Sequence, residues 1–123
     1  MLFRSIIHNM QRKTTITLDV NLDENQTPEN MKWSAPDGGV KQQAMDAFFL
    51  STWDKENQES ARIDLWTKEM PVDQMQVFVH QTLVGIRESY LRATDDAQMG
   101  EAMQQFCDFF AEERNLKQVK KNS

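Results

Sequence analysis

The chain has 123 residues with 14 Lys+Arg, 19 Asp+Glu, one Cys, three Pro and four Gly. That length suits one compact domain able to bury a core without a disulfide or a structural metal. A net charge of −5, with 39% hydrophobic and 27% charged residues, describes a soluble globular protein and excludes a nucleic-acid binder, which needs a basic surface.

Charge changes sign along the chain. Residues 1–13 carry Arg4, Arg12 and Lys13 and no acid, and residues 114–123 carry Arg114, Lys117, Lys120 and Lys121. The body between them therefore holds every acidic residue. An acidic body repels polyanions and anionic membranes. The basic tail reads as a solvated helix end, or as a small electrostatic docking tag. Met1–Met10 is too short and too interrupted for a secretory signal, and no stretch approaches the ~18 apolar residues of a membrane span. A lone Cys107 suits a reducing compartment, so the expected location is cytoplasmic.

Thr15–Leu22 alternates, with Ile16, Leu18, Val20 and Leu22 on one side, and predicts a strand with one buried face. Asp23–Pro28 is turn chemistry. A second strand is expected around Asn30–Ala35, pairing with the first as a hairpin, before Pro36-Asp37-Gly38-Gly39 breaks it. Residues 40–47 are open between helix and strand, because Val40, Ala44, Ala47 and Phe48 have helical spacing. Phe48–Trp53, in contrast, is rich in strand formers. The polar connector Asp54–Ser60 and renewed alternation in Ala61–Lys68 favour a second hairpin, 45–53 with 61–68.

From Pro71 the period becomes 3.6. Pro71 suits a first helical position, and Val72, Met75, Val79, Leu83, Ile86, Tyr90 and Ala93 form an apolar stripe. Asp95 and Gln98 are spaced as a capping box for a second helix, about 96–116, with Met99, Ala102, Met103, Phe106, Phe109 and Phe110 inward. The expected fold is α+β: one four-stranded antiparallel sheet of two hairpins, then two long helices of more than ~20 residues on one face (ββββαα). The expected organisation is an N-terminal extension at 1–12, one domain at 13–116 and a basic tail at 117–123.

Catalytic groups are sparse. The two histidines, His8 and His80, lie far apart, and nothing in the spacing brings His80 to Cys107 with an orienting acid such as Asp73 or Asp108. A boundary histidine such as His80 reads as hydrogen-bonded structure. No residues recur at metal-ligand spacing, and Gly38-Gly39 is no phosphate loop. No catalytic, cofactor or metal site is expected, so the chain reads as no enzyme. Eight methionines, among them Met70, Met75, Met99 and Met103, suit core filling or a Met-lined peptide groove.

Trp33, Trp53 and Trp66 place one indole on each of three predicted strands, and Phe48, Phe49 and Leu50 make strand three apolar on both sides. A sheet covered on one face only should be polar on the other. Trp33, Trp53, Trp66, Phe48 and Leu50 are therefore the candidate interaction surface, for a protein partner or a second copy.

Several of these residues carry a family resemblance. Trp33-Ser34-Ala35, Asp37-Gly38-Gly39, Trp53-Asp54, Ile63-Asp64-Leu65-Trp66-Thr67-Lys68 with Met70-Pro71-Val72-Asp73, His80-Gln81-Thr82-Leu83 and Phe106-Cys107-Asp108 resemble the GldC family of gliding motility proteins of Bacteroidetes. The resemblance covers about 10–116, and Met10 falls where such proteins begin, which makes 1–9 an extension. It implies a small cytoplasmic protein linked to gliding machinery that overlaps type IX secretion, with no catalytic residue or cofactor attached. The leading expectation is a non-enzymatic interaction protein, and the alternative is an export chaperone similar in layout to SecB.

Overall fold

The computed structural model describes residues 11–116. The expected extension at 1–9, with His8, and the basic tail at 117–123 lie outside the described residues. The chain divides into two compact units, one ending at Met70 and the other beginning at Pro71.

The first unit is built on five strands. β1 (Thr17–Leu22), β2 (Pro28–Ala35) and β3 (Val40–Met45) form a three-stranded antiparallel sheet in that order, and β4 (Ala47–Asp54) pairs with β5 (Glu59–Trp66) as a separate ribbon. Both expected hairpins form, but the single four-stranded sheet does not. Residues 40–45 are a strand of their own rather than a helical turn, and Asp46 alone separates β3 from β4. A single acid, with no Gly or Pro beside it, is all that marks this break: Asp46 is the one polar residue from Ala44 to Leu50, where the chain changes sheets.

Alternation sets the faces of the first sheet. Leu18 pairs with Trp33, and Val20 with Met31, which in turn pairs with Met45. These side chains share one face, and Met31, at 1% exposed, is its most buried point. Ile16 and Leu22, expected on that buried face, are exposed instead. The β1–β2 turn is tied by Asp23, whose Oδ1 accepts the N–H groups of Asn25 and Thr27. Gln26 takes the left-handed conformation that this turn requires. Beyond β2, a 3-10 turn (Pro36–Gly38) ends on Gly39 at φ 80°, where glycine meets no steric penalty. The Arg12 guanidinium reaches Asp37 in this turn at 2.8 Å.

The second unit is a helical hairpin of α1 (Val72–Thr94) and α2 (Ala97–Glu113). Pro71 sits just before α1 with extended backbone, and Asp73 lies in the first turn, where the helix dipole favours a negative charge. Asp95 closes α1 in the left-handed conformation. The cap of α2 is Asp96 rather than Asp95, with its Oδ1 accepting the Met99 N–H. At 17 residues α2 is shorter than expected.

The inward stripe of α2 is rotated from the expected one. Gly100, Cys107 and Ala111 are buried, whereas Met99, Phe106 and Phe109 are exposed. On α1, Val72 and Ile86 are likewise exposed members of the expected stripe. Small residues let the helices approach: a Cβ built on Gly100 would stand 2.5 Å from Leu91 Cδ2. Two α1 side chains complete the hairpin by donating to α2 backbone, Arg87 Nε to Gly100 O at 2.7 Å and His80 Nε2 to Cys107 O at 3.1 Å.

Candidate functional site

The β4–β5 ribbon carries most of the candidate residues, and its register decides which of them meet. Ala47 pairs with Trp66, Phe49 with Asp64, Ser51 with Arg62 and Trp53 with Ser60. Because directly paired residues share a face, Trp53, Phe49, Trp66, Arg62 and Asp64 stand together. Phe48 with Leu65, Leu50 with Ile63, and Thr52 with Ala61 occupy the opposite face. The five residues singled out from sequence thus divide three ways. Trp53 and Trp66 lie on one face of the ribbon, Phe48 and Leu50 on the other, and Trp33 belongs to the first sheet opposite Leu18.

Exposure ranks them. Trp53 is 67% exposed and Trp66 50%, while Leu50 and Ile63 stand at 39% and 54% on the other face. Trp33 and Phe48 are half-buried. Apolar surface on both faces of a two-stranded ribbon is unusual, since such a ribbon is marginal in water without further cover. The ribbon's far turn is nonetheless well built. Asp54 accepts from the Glu56 and Asn57 N–H groups and from Asn57 Nδ2, and the Asn57 side chain leads in holding its carboxyl below the usual range.

The near end of the ribbon is tied to the first sheet. Thr67 N–H donates to Asp46 O at 2.9 Å, continuing the ladder by one pair. Lys68 Nζ reaches Asp23 Oδ2 at 2.9 Å, across 45 residues of chain. Asp23 is 12% exposed on its side chain. The Lys68 ammonium, with the Thr27 and Asn25 N–H groups, holds its carboxyl at about 2. The same contact raises Lys68 above its usual value. Sequence spacing gives no hint of this pair, because each residue alone reads as an ordinary turn or strand-end charge.

His80 and Cys107, which spacing leaves apart, are adjacent through backbone. A carbonyl oxygen can only accept, so His80 carries its proton on Nε2 in this bond. Its ring also lies 5.9 Å from that of Phe110. Cys107 is 2% exposed, and burial foremost, with Asp108 behind it, pushes its thiol up. A nucleophilic dyad needs the opposite: an imidazole nitrogen facing sulfur and a depressed thiol. Here His80 fixes the α2 backbone.

Among the described residues, no three His, Cys, Asp or Glu side chains gather where they could hold a metal ion. Two open depressions are lined by Thr82, Gly85, Ile86, Ser89 and Tyr90 on α1, and by Leu18, Asp19, Val20, Asn21, Lys32 and Gln42 on the first sheet. Neither one includes His80 or Cys107. Among the described residues no helix is long and apolar enough to cross a membrane.

These features define an α+β protein that exposes two indoles on one face of its β4–β5 ribbon. Residues 28–116 match the family described as gliding motility-associated protein GldC-like, and the chain belongs to that family. The match spans the Trp33, Trp53 and Ile63–Lys68 motifs together with both helices, and it bears out the resemblance read from those residues. Membership associates the chain with gliding motility. Comparison with curated proteins and with solved structures gave no match.

Proposed function

We propose that this chain is a non-enzymatic cytoplasmic accessory protein of the gliding machinery and its linked type IX secretion apparatus. It acts by protein–protein contact through the Trp53 and Trp66 face of the β4–β5 ribbon. The observation that supports this reading is the exposure of two indoles on one face of a ribbon that has no third strand among the described residues. Indoles buried at the centre of an interface carry a large share of binding energy, commonly ~2 kcal/mol or more each. The protein partner supplies a pocket for them, and no nucleic acid, membrane insertion or cofactor is part of the reading.

Affinity purification of the tagged chain from its native cell tests this. Wild type should retain a protein partner that Trp53→Ala and Trp66→Ala each release, with the fold unchanged by circular dichroism. Retention of every partner by the double variant counts against it.

A second reading, an export chaperone, draws on the apolar character of the opposite face, where Leu50 and Ile63 are both exposed. It predicts that the purified chain suppresses aggregation of an unfolded secretion substrate. Absence of suppression at stoichiometric excess removes it.

A further inference from the structure

The outer edge of β5 has a hydrogen-bonding pattern and a charge pattern that agree with each other. Antiparallel ladders alternate between pairs that exchange backbone bonds and pairs that do not. The Thr67–Asp46 bond sets this phase, so Leu65, Ile63 and Ala61 bond inward to β4. Ser60, Arg62, Asp64 and Trp66 therefore direct their N–H and C=O groups outward. No described strand pairs with that edge. A row of unpaired backbone groups on a strand edge is a template for another strand, and charges on that edge restrict which strand can pair.

We propose that this edge pairs with β5 of a second copy, antiparallel, about a two-fold axis at Ile63. In that register Arg62 of each copy stands opposite Asp64 of the other, and Ser60 stands opposite Trp66. All four residues are among those whose backbone groups point outward, so the hydrogen bonds and the side-chain charges select the same alignment. A shift by two residues one way would set Arg62 against Arg62. A shift the other way would set Asp64 against Asp64. Like charges directly opposite oppose pairing, and opposite charges favour it. Within one copy Arg62 Nε already contacts Asp64 Oδ2 at 3.2 Å, with the Arg62 side chain 68% exposed. In the dimer the two such contacts, one within each copy, are exchanged for two across the axis, so the charges select the register while the backbone bonds supply the gain. The facing edge of β4 carries Ala47, Phe49, Ser51 and Trp53 and has no charged pair to set a register.

The pairing also joins the apolar surface of the two copies. Two ribbons joined at β5 make a four-stranded sheet, β4-β5-β5-β4, the size at which a sheet becomes independently stable. On one face Leu50 and Ile63 of both copies form a continuous row. On the other, the small Ser60 lies between Trp53 of its own copy and Trp66 of the second, leaving room for both indoles. The interface is isologous, as a closed dimer requires.

This goes beyond the reading above, since the occupant is a second copy rather than a machinery protein. Its test reads mass alone, so its failure leaves the partner-capture result untouched. Sedimentation of the full chain should give twice the 14.4 kDa chain mass at micromolar concentration. Asp64→Arg should weaken the dimer about tenfold or more, because two opposite-charge pairs become two like-charge pairs. The double swap Arg62→Asp with Asp64→Arg should restore it. Ile63→Cys should give a disulfide-linked dimer on mild oxidation, because the two Ile63 residues meet in a non-hydrogen-bonded pair whose Cβ atoms lie ~5 Å apart. A monomeric wild type at ~100 µM would overturn the proposal. A folded Asp64→Arg variant that remains dimeric, or an Ile63→Cys variant that does not cross-link, would also overturn it.

Discussion

Asp23 shows what a single side chain does in this fold. It closes the β1–β2 turn through two backbone N–H groups and at the same time holds Lys68 beyond the end of β5. Its carboxyl is held at about 2, below the ordinary 3.8, so the ionised form is favoured in the folded chain. For a depressed carboxyl, the stabilisation is fully present above the ordinary value and is lost as pH falls through the folded one. Asp23→Asn keeps an oxygen for the turn and removes the charge together with the Oδ2 acceptor that Lys68 uses. Thermal melts should therefore separate wild type from this variant at pH 5, and the gap should close between about pH 4 and pH 2. A gap of constant size across that range would place the effect in the turn geometry instead. The buried Cys107 thiol behaves oppositely, since burial disfavours its thiolate, and that agrees with a structural place in α2.

At the scale of elements, the two hairpins, the change of period at Pro71 and both helices were legible, because alternation and 3.6-residue spacing are local signals. Three features were not. The break at Asp46 leaves little compositional trace, since a single acid, with no Gly or Pro beside it, is enough to move the chain from one sheet to another. The α2 stripe is legible only in part: Met103 and Phe110 lie half-buried as expected, but Phe106 and Phe109 outweigh Gly100, Cys107 and Ala111 in any hydrophobic count. Yet it is the small residues that let two helices approach. The division of the candidate surface between two faces and two sheets depends on register, and register is a pairing between distant segments. Gly100 gives this a measurable form. Alanine there gains helix propensity, worth ~1 kcal/mol. Its Cβ would, however, lie 2.5, 3.0 and 3.1 Å from three carbons of Leu91, so the whole side chain must move. Overpacking of that kind costs ~1–3 kcal/mol, and Gly100→Ala should destabilise the chain in denaturant melts. Gly85, on α1 with open space around it, is the matched control: Gly85→Ala should stabilise. A stabilising Gly100→Ala would mean that Leu91 has room to turn away.

For the whole molecule, the decisive quantity is the charge of −5 on each copy. Association at β5 sets a short-range attraction between Arg62 and Asp64 against a long-range repulsion between two acidic chains. The attractive pairs are exposed, and exposed pairs contribute ~0.2–1 kcal/mol each. Treated as point charges ~30 Å apart in water, two copies repel by ~3 kcal/mol before screening. The Debye length is ~30 Å at 0.01 M salt and ~10 Å at 0.1 M, so that repulsion falls from ~1 kcal/mol to ~0.2 kcal/mol over this range. The pairs, within contact distance, are screened far less by the same change. Repulsion therefore sets the sign at low salt, and the dimer should tighten about fivefold between 0.01 and 0.1 M salt. At pH 5.0, near the isoelectric point, the net charge vanishes and the tightening should vanish with it. Sedimentation at two pH values and a series of salt concentrations reads both effects. Weakening from the lowest salt upward at neutral pH would instead put the Arg62–Asp64 pairs in control of the assembly.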